Sequence, residues 1–222
     1  MSAPYTYDIH FPDGYDENQK YPVIFTLHGK GSNEKNMFDL VSPLANQFII
    51  IGIRGDLRLG AGFQYYELKS LGHPIRELFD QSIQKLQDFI AYATERYAIH
   101  PQQRYLLGFS QGAILSMSLA LVMGEHLRGI VALNGYVPNF VKEEYTVQPV
   151  DQLSVFISHG EYDQVFPIHI GRETAEYWQH LNNHITFHTY PSDHGVSQQN
   201  AQDILEWLLS DLQASNTGVN SK

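Results

Sequence analysis

Six short apolar runs, rich in β-branched residues and each closing on a turn, constrain this chain more than any other feature. Val23–Leu27 ends in His28-Gly29, Phe48–Ile53 in Arg54-Gly55, and Tyr105–Phe109 in Ser110. Ile130–Leu133 ends in Asn134-Gly135, Val155–Ser158 in His159-Gly160, and Ile185–Tyr190 at Pro191. The runs are continuous rather than alternating, as strands are when both faces are covered, and such strands belong to parallel sheets. Helical stretches lie between them. Ile75, Leu78, Phe79, Ile83, Leu86, Phe89, Ile90, Ala93 and Tyr97 recur every three or four residues, the spacing of one buried helix face. A second helix starts after Ser110 with Ile114, Met117, Leu121 and Val122, and a last one carries Ile204, Leu205, Leu208 and Leu212. The expected class is therefore α/β: a mostly parallel central sheet with helices on both faces. A half-buried strand precedes it, where Tyr5, Tyr7, Ile9 and Phe11 alternate with polar residues.

With 222 residues, one core is expected, so residues 1–213 read as a single domain. The small, polar segment 214–222 reads as a flexible C-terminal tail. Residues 54–73 and 134–152 are the longest irregular stretches, too short for a large lid domain. The chain has no cysteine, which excludes disulfides, a thiolate nucleophile and Cys-containing metal sites. With 14 basic and 24 acidic residues the formal net charge is −10. Nucleic acid is not an expected partner, because its binding needs a cationic face. The first residues lack a basic segment followed by an apolar one, and no apolar run is long enough to span a bilayer. The expectation is a cytoplasmic protein without stable membrane insertion.

Chemistry enters with Gly108-Phe109-Ser110-Gln111-Gly112. In a G-x-S-x-G turn between a strand and a helix, the glycines remove side chains so that a strained serine can project its hydroxyl above the sheet. A serine hydroxyl needs a base, and the base needs an orienting carboxylate. Open sheets place such groups at the carboxyl ends of strands. Two more strand ends supply them: His159-Gly160-Glu161-Tyr162-Asp163 and Ser192-Asp193-His194. Ser110, Asp163 and His194 then follow the chain order Ser…Asp…His. His28 and His159 are rivals to His194 by position. Asp193 and Glu161 rank behind Asp163, since neighbouring side chains such as Asp193 and His194 diverge. The oxyanion of a tetrahedral intermediate needs preorganised N–H donors, expected from the backbone of Gln111 at the helix start and of Lys30 in the first loop. H-E-x-x-H and clustered His ligands are absent, so no metal is expected.

Four segments carry a family resemblance: Leu27-His28-Gly29-Lys30-Gly31-Ser32-Asn33-Glu34, Gly108–Ala113, His159-Gly160-x-x-Asp163-x-Val165-x-Pro167, and His194-Gly195-Val196. Over roughly residues 5–212 the chain resembles the phospholipase/carboxylesterase family of the α/β-hydrolase superfamily, relatives of the acyl-protein thioesterases. The resemblance implies a catalytic triad of Ser110, Asp163 and His194, with oxyanion-hole amides from Lys30 and Gln111. It implies a cytosolic hydrolase with no cofactor, often a homodimer. Lys30 stands where eukaryotic thioesterases carry an apolar residue, which makes the likeness closer to bacterial carboxylesterases.

The reading that follows is a serine carboxylesterase forming an acyl-enzyme at Ser110 on a small-molecule or lipid-like ester. The alternative is a lysophospholipase or acyl-protein thioesterase acting on long acyl chains. Phe63, Tyr65 and Tyr66, with Tyr136, Val137 and Phe140, are the expected walls of an apolar acyl cleft.

Overall fold

The computed structural model describes residues 2–219. Strands β1 (Thr6–His10), β2 (Tyr21–Leu27) and β3 (Ile49–Arg54) come first, with the short helix α1 (Phe38–Val41) before β3. Two small hairpins follow, β4 (Leu57–Leu59) with β5 (Gly62–Gln64), and β6 (Leu68–Ser70) with β7 (His73–Pro74). The long helix α2 (Arg76–Arg96) leads to β8 (Ile99–Phe109), and α3 (Gln111–Met123) to β9 (Gly129–Leu133). Helix α4 (Asn139–Glu144), β10 (Ser154–Gly160), α5 (Ile168–Leu181), β11 (Ile185–Tyr190) and α6 (Gln198–Val219) complete the chain.

Seven strands form one sheet in the order β1-β3-β2-β8-β9-β10-β11. Only β1 runs antiparallel, at the edge against β3; the other pairings are parallel. The α/β expectation therefore holds, with the alternating first strand at the edge where its polar residues meet water. Within the continuous runs, successive residues serve opposite faces, as the pleat requires. Val23, Phe25, Leu27, Leu106, Ile130 and Ile157 join a core with Phe79, Leu86 and Phe89 of α2, Leu115 and Leu119 of α3, and Trp178 of α5. Ile24, Ile50, Leu107, Val131 and Phe156 face Val41 of α1 and Ile204 and Leu208 of α6. Helix α3 is buried along Gln111–Leu121, which is why its sequence is apolar all round.

The tail expected from residue 214 is helical through Val219. Gln103 donates from Nε2 to Ser215 Oγ at 3.0 Å and to Asn216 Oδ1 at 2.7 Å, tying the last turns to β8. Residues 220–222 of that expectation lie outside the described residues. Stretches 54–73 and 134–152 hold the two hairpins and the six-residue α4 rather than a lid domain. No helix among the described residues is long and apolar enough to cross a membrane.

Parallel pairing aligns the strand ends. Leu27 pairs with Gly108, Gly108 with Ala132, Ala132 with Ile157, and Ile157 with Phe187. The segments just beyond these residues therefore meet along one edge. The chain winds from β2 toward β3, then returns to place β8 on the other side of β2. That reversal is the position at which open sheets leave a crevice.

Candidate active site

Ser110 sits between β8 and α3 at φ 52 and ψ −113, a region that non-glycine residues rarely occupy. Its neighbours hold it there. Its N–H donates to the Leu133 carbonyl at 2.9 Å, and its own carbonyl accepts from Ile114 N–H at 3.1 Å. The turn is closed too tightly for side chains: a Cβ on Gly108 would lie 2.2 Å from the Gly112 carbonyl oxygen.

The sequence-predicted groups converge on this serine. His194 Nε2 lies 2.9 Å from Ser110 Oγ, and His194 Nδ1 lies 2.7 Å from Asp163 Oδ2. An ionised carboxylate only accepts, so Nδ1–H donates to Asp163 and bare Nε2 accepts the serine O–H. Phe109 and Phe166 flank the imidazole, with ring centroids 5.1 and 5.4 Å away. Asp163 is buried, and burial by itself raises its pKa. Hydrogen bonds from Asn134, His194 and the Phe166 N–H outweigh that and hold the carboxyl below its ordinary 3.8. Its Oδ1 takes the N–H groups of Val165 and Phe166, each at 2.8 Å, and Asn134 Nδ2 donates to Oδ2 at 3.0 Å.

Both rival histidines are walled into the scaffold. His28 Nδ1 is 2.7 Å from the Gly29 carbonyl, and Nε2 accepts from Gly55 N–H at 3.0 Å. Burial pushes its pKa down, so it stays neutral. The Gly29 carbonyl also receives Ser32 N–H at 3.2 Å. Since carbonyl and N–H point oppositely across a trans peptide, anchoring this carbonyl turns the Lys30 N–H to the other side. His159 is fully buried, with Nε2 2.6 Å from the Phe166 carbonyl, and burial lowers its pKa too. It pins the loop that carries Asp163. Asp193 is exposed; its carbonyl, not its carboxylate, approaches the Asn134 amide, at 3.5 Å.

Gly29, Lys30, Ser110, Gln111 and His194 open into a cavity of about 260 Å³ walled by Tyr66, Leu68, Leu71, Ile114, Tyr136, Val165 and Phe166. Gln111 is the first residue of α3, and first-turn N–H groups have no partner inside their own helix. A second cavity of about 570 Å³ shares Leu71, Gly72, Tyr136, Val165 and Phe166, and adds Val137 and Phe140. Tyr66 and Tyr136 thus line the serine cavity, while Val137 and Phe140 line its extension.

Phe63 and Tyr65 do not reach either cavity. The Phe63 ring lies under Arg54, 4.3 Å from the guanidinium carbon, and its N–H donates to the Ser32 carbonyl. Tyr65 is buried and donates its hydroxyl to the Ile53 carbonyl at 2.6 Å. The ring contacts show the split: Tyr65 packs against Tyr5 and His28, whereas Tyr66 packs against Phe79. The buried Gln111 side chain clasps this segment, accepting Tyr65 N–H at 2.8 Å and donating to the Tyr66 carbonyl at 2.9 Å. One contributor escaped sequence reasoning: Asn134 read only as a turn residue at the end of its strand.

Residues 15–210 match the phospholipase/carboxylesterase family model. The chain belongs to that family. Within the phospholipase/carboxylesterase family, it is 27% identical over 168 residues to the acyl-protein thioesterase 1 of Candida albicans, 72% of each chain. A carboxylesterase of Bacillus cereus superposes with a TM-score of 0.82 at 20% identity, covering 93% of this chain and 94% of that one. A carboxylesterase from Mesorhizobium loti gives 0.80 at 19% identity, covering 94% and 96%. At such identities these two structures speak for the α/β-hydrolase fold. The family model carries the functional class, a hydrolase of phospholipase/carboxylesterase type.

Proposed function

We propose that the protein is a serine carboxylesterase that forms an acyl-enzyme at Ser110. The observation that carries this reading is the hydrogen-bonded series Ser110–His194–Asp163, at 2.9 and 2.7 Å, opening on an apolar cavity. Ser110 Oγ attacks the ester carbonyl carbon as His194 Nε2 takes its proton. Asp163 holds the ring and stabilises the imidazolium. The carbonyl oxygen becomes an oxyanion facing the N–H groups of Lys30 and Gln111, and the dipole of α3 favours the same negative charge. Collapse breaks the bond to the alkoxide, which leaves with the proton from Nε2. Water then repeats the sequence, giving its proton to Nε2 and releasing the acid.

Thioester cleavage uses the same groups, and similarity to a protein named acyl-protein thioesterase 1 favours it as the second reading. A fluorophosphonate probe tests the nucleophile for both. One adduct is expected, located at Ser110 by peptide mass spectrometry, and Ser110→Ala abolishes both labelling and turnover of p-nitrophenyl butyrate. An adduct on another residue, or full turnover in the alanine variant, overturns the mechanism.

A further inference from the structure

Asn134 occupies a place whose cost demands a reason. It is fully buried at the end of β9 and holds φ 51, one of two positive-φ non-glycine residues among those described; the other is Ser110. The two are linked through adjacent backbone: Ser110 N–H donates to the Leu133 carbonyl, and Asn134 N–H donates to the Ser158 carbonyl at 2.9 Å. The side-chain Oδ1 is buried with no partner among the described residues. Flipping the amide would turn that oxygen toward an acceptor-only carboxylate, so Nδ2 must be the atom facing Asp163. The fold therefore accepts a strained backbone and an orphaned acceptor to keep one N–H on Asp163 Oδ2, at 3.0 Å. That is the same oxygen that receives His194.

We propose that Asn134 is a positioning residue that acts through Asp163, fixing the carboxylate and sharing the oxygen on which the imidazole leans. This rests on the serine-hydrolase reading above. Two donors on one anionic oxygen divide its charge, so each bond is weaker than it would be alone. The groups that face the carboxylate are few. They are His194 from the loop after β11, His159 of β10 at 3.5 Å, the Val165 and Phe166 N–H groups of its own loop, and Asn134. Removing the Asn134 amide leaves Oδ2 to the imidazole, strengthens that bond, and makes the imidazole hold its proton to a higher pH.

Asn134→Gly is the direct test, because glycine adopts φ 51 without strain and only the amide is lost. The acid limb of the kcat/KM–pH profile should move up by about half a unit, with kcat on the plateau lowered and KM unchanged. The ring signals of His194, assigned by difference from a His194→Ala variant and followed by NMR, should move in the same direction. That readout does not need turnover, so it stands even if Ser110 proves not to be the nucleophile. Asn134→Ser, which returns a shorter donor, should shift both readouts less than glycine does, and serves alone if the glycine variant does not fold. A limb and a ring titration that both stay in place would overturn the proposal. So would a fall in kcat with no movement along the pH axis, which marks a merely structural role.

Discussion

Gly112 of α3 and Leu27 of β2 meet backbone to backbone: a Cβ on Gly112 would lie 2.0 Å from the Leu27 carbonyl oxygen. Gly112 directly follows Gln111, and Leu27 directly precedes His28-Gly29-Lys30. This one contact therefore sets the separation of the two proposed oxyanion donors.

Gly112→Ala must push α3 away from β2. Overpacking of this kind costs about 1–3 kcal/mol, a fall in melting temperature of roughly 2–12 °C for a chain of this size. A shift of even an ångström in the donor pair should lower kcat about 10²-fold, with a smaller change in KM. Thermal melts and steady-state kinetics check both parts. An unchanged kcat in a destabilised variant would show that the two amides do not act together.

Asp163→Asn keeps the shape of the carboxylate but lets the side chain present an N–H where His194 Nδ1–H now donates. The imidazole is then driven to the wrong tautomer. Turnover should fall about 10²–10⁴-fold. Asp193→Asn alters an exposed side chain next to the same histidine and should cost less than threefold. Kinetics on the purified pair decide the assignment; a larger loss for the Asp193 variant reverses it.

The sheet was legible because its strands are buried on both faces, which leaves unbroken β-branched runs whose ends can be counted. Ser110, Asp163 and His194 were legible for the same reason, each standing just past a run. What stayed hidden has physical causes. Helix α5 buries Gly171, Thr174 and Ala175 beside Trp178, small residues that leave little apolar periodicity. Glycine is needed there for the helix to approach β10 closely, because a Cβ on Gly171 would lie 2.5 Å from the His159 ring. Strand β8 begins at Ile99, earlier than its apolar run, because its pairing with β2 slips between Tyr21 and Val23 and absorbs the extra residues around Pro101. The hairpins in 54–73 are three-residue strands or shorter, below the length at which alternation can be read. That is also why Phe63 and Tyr65 could not be told from Tyr66.

Acidification should destabilise the fold above the range of carboxylate titration. Burial lowers the pKa of both His28 and His159 from the ordinary 6.5. Below pH 6.5 the unfolded chain binds protons at these positions that the folded chain refuses. Stability therefore rises with pH through this window and is lost as pH falls, by at most about 1.4 kcal/mol per pH unit for each imidazole. In 0.5 M salt, which screens the net charge of −10, the melting temperature should drop by several degrees between pH 7.5 and 5.5. A melting temperature that is flat or rises on acidification contradicts the neutral, buried state of both rings.

The acyl cleft should discriminate chain length. The cavity at Ser110 is about 260 Å³ and is walled mainly by Tyr66, Leu68, Leu71, Ile114, Tyr136, Val165 and Phe166. Each methylene that finds room there contributes up to about 0.8 kcal/mol, close to a fourfold gain in kcat/KM. A series of p-nitrophenyl esters from two to sixteen carbons, assayed below micelle-forming concentration, should climb over the first additions. It should then flatten where the acyl chain must turn into the larger cavity beside Val137 and Phe140. Ile114→Trp fills the serine cavity from α3, so its optimum should move to shorter esters while acetate is still cleaved. Leu71→Ala opens the hairpin wall shared by the two cavities and should move the optimum the other way. If acetate is the best ester for the parent and neither variant moves the profile, the acyl chain does not lie in this cavity, and its apolar lining serves packing alone.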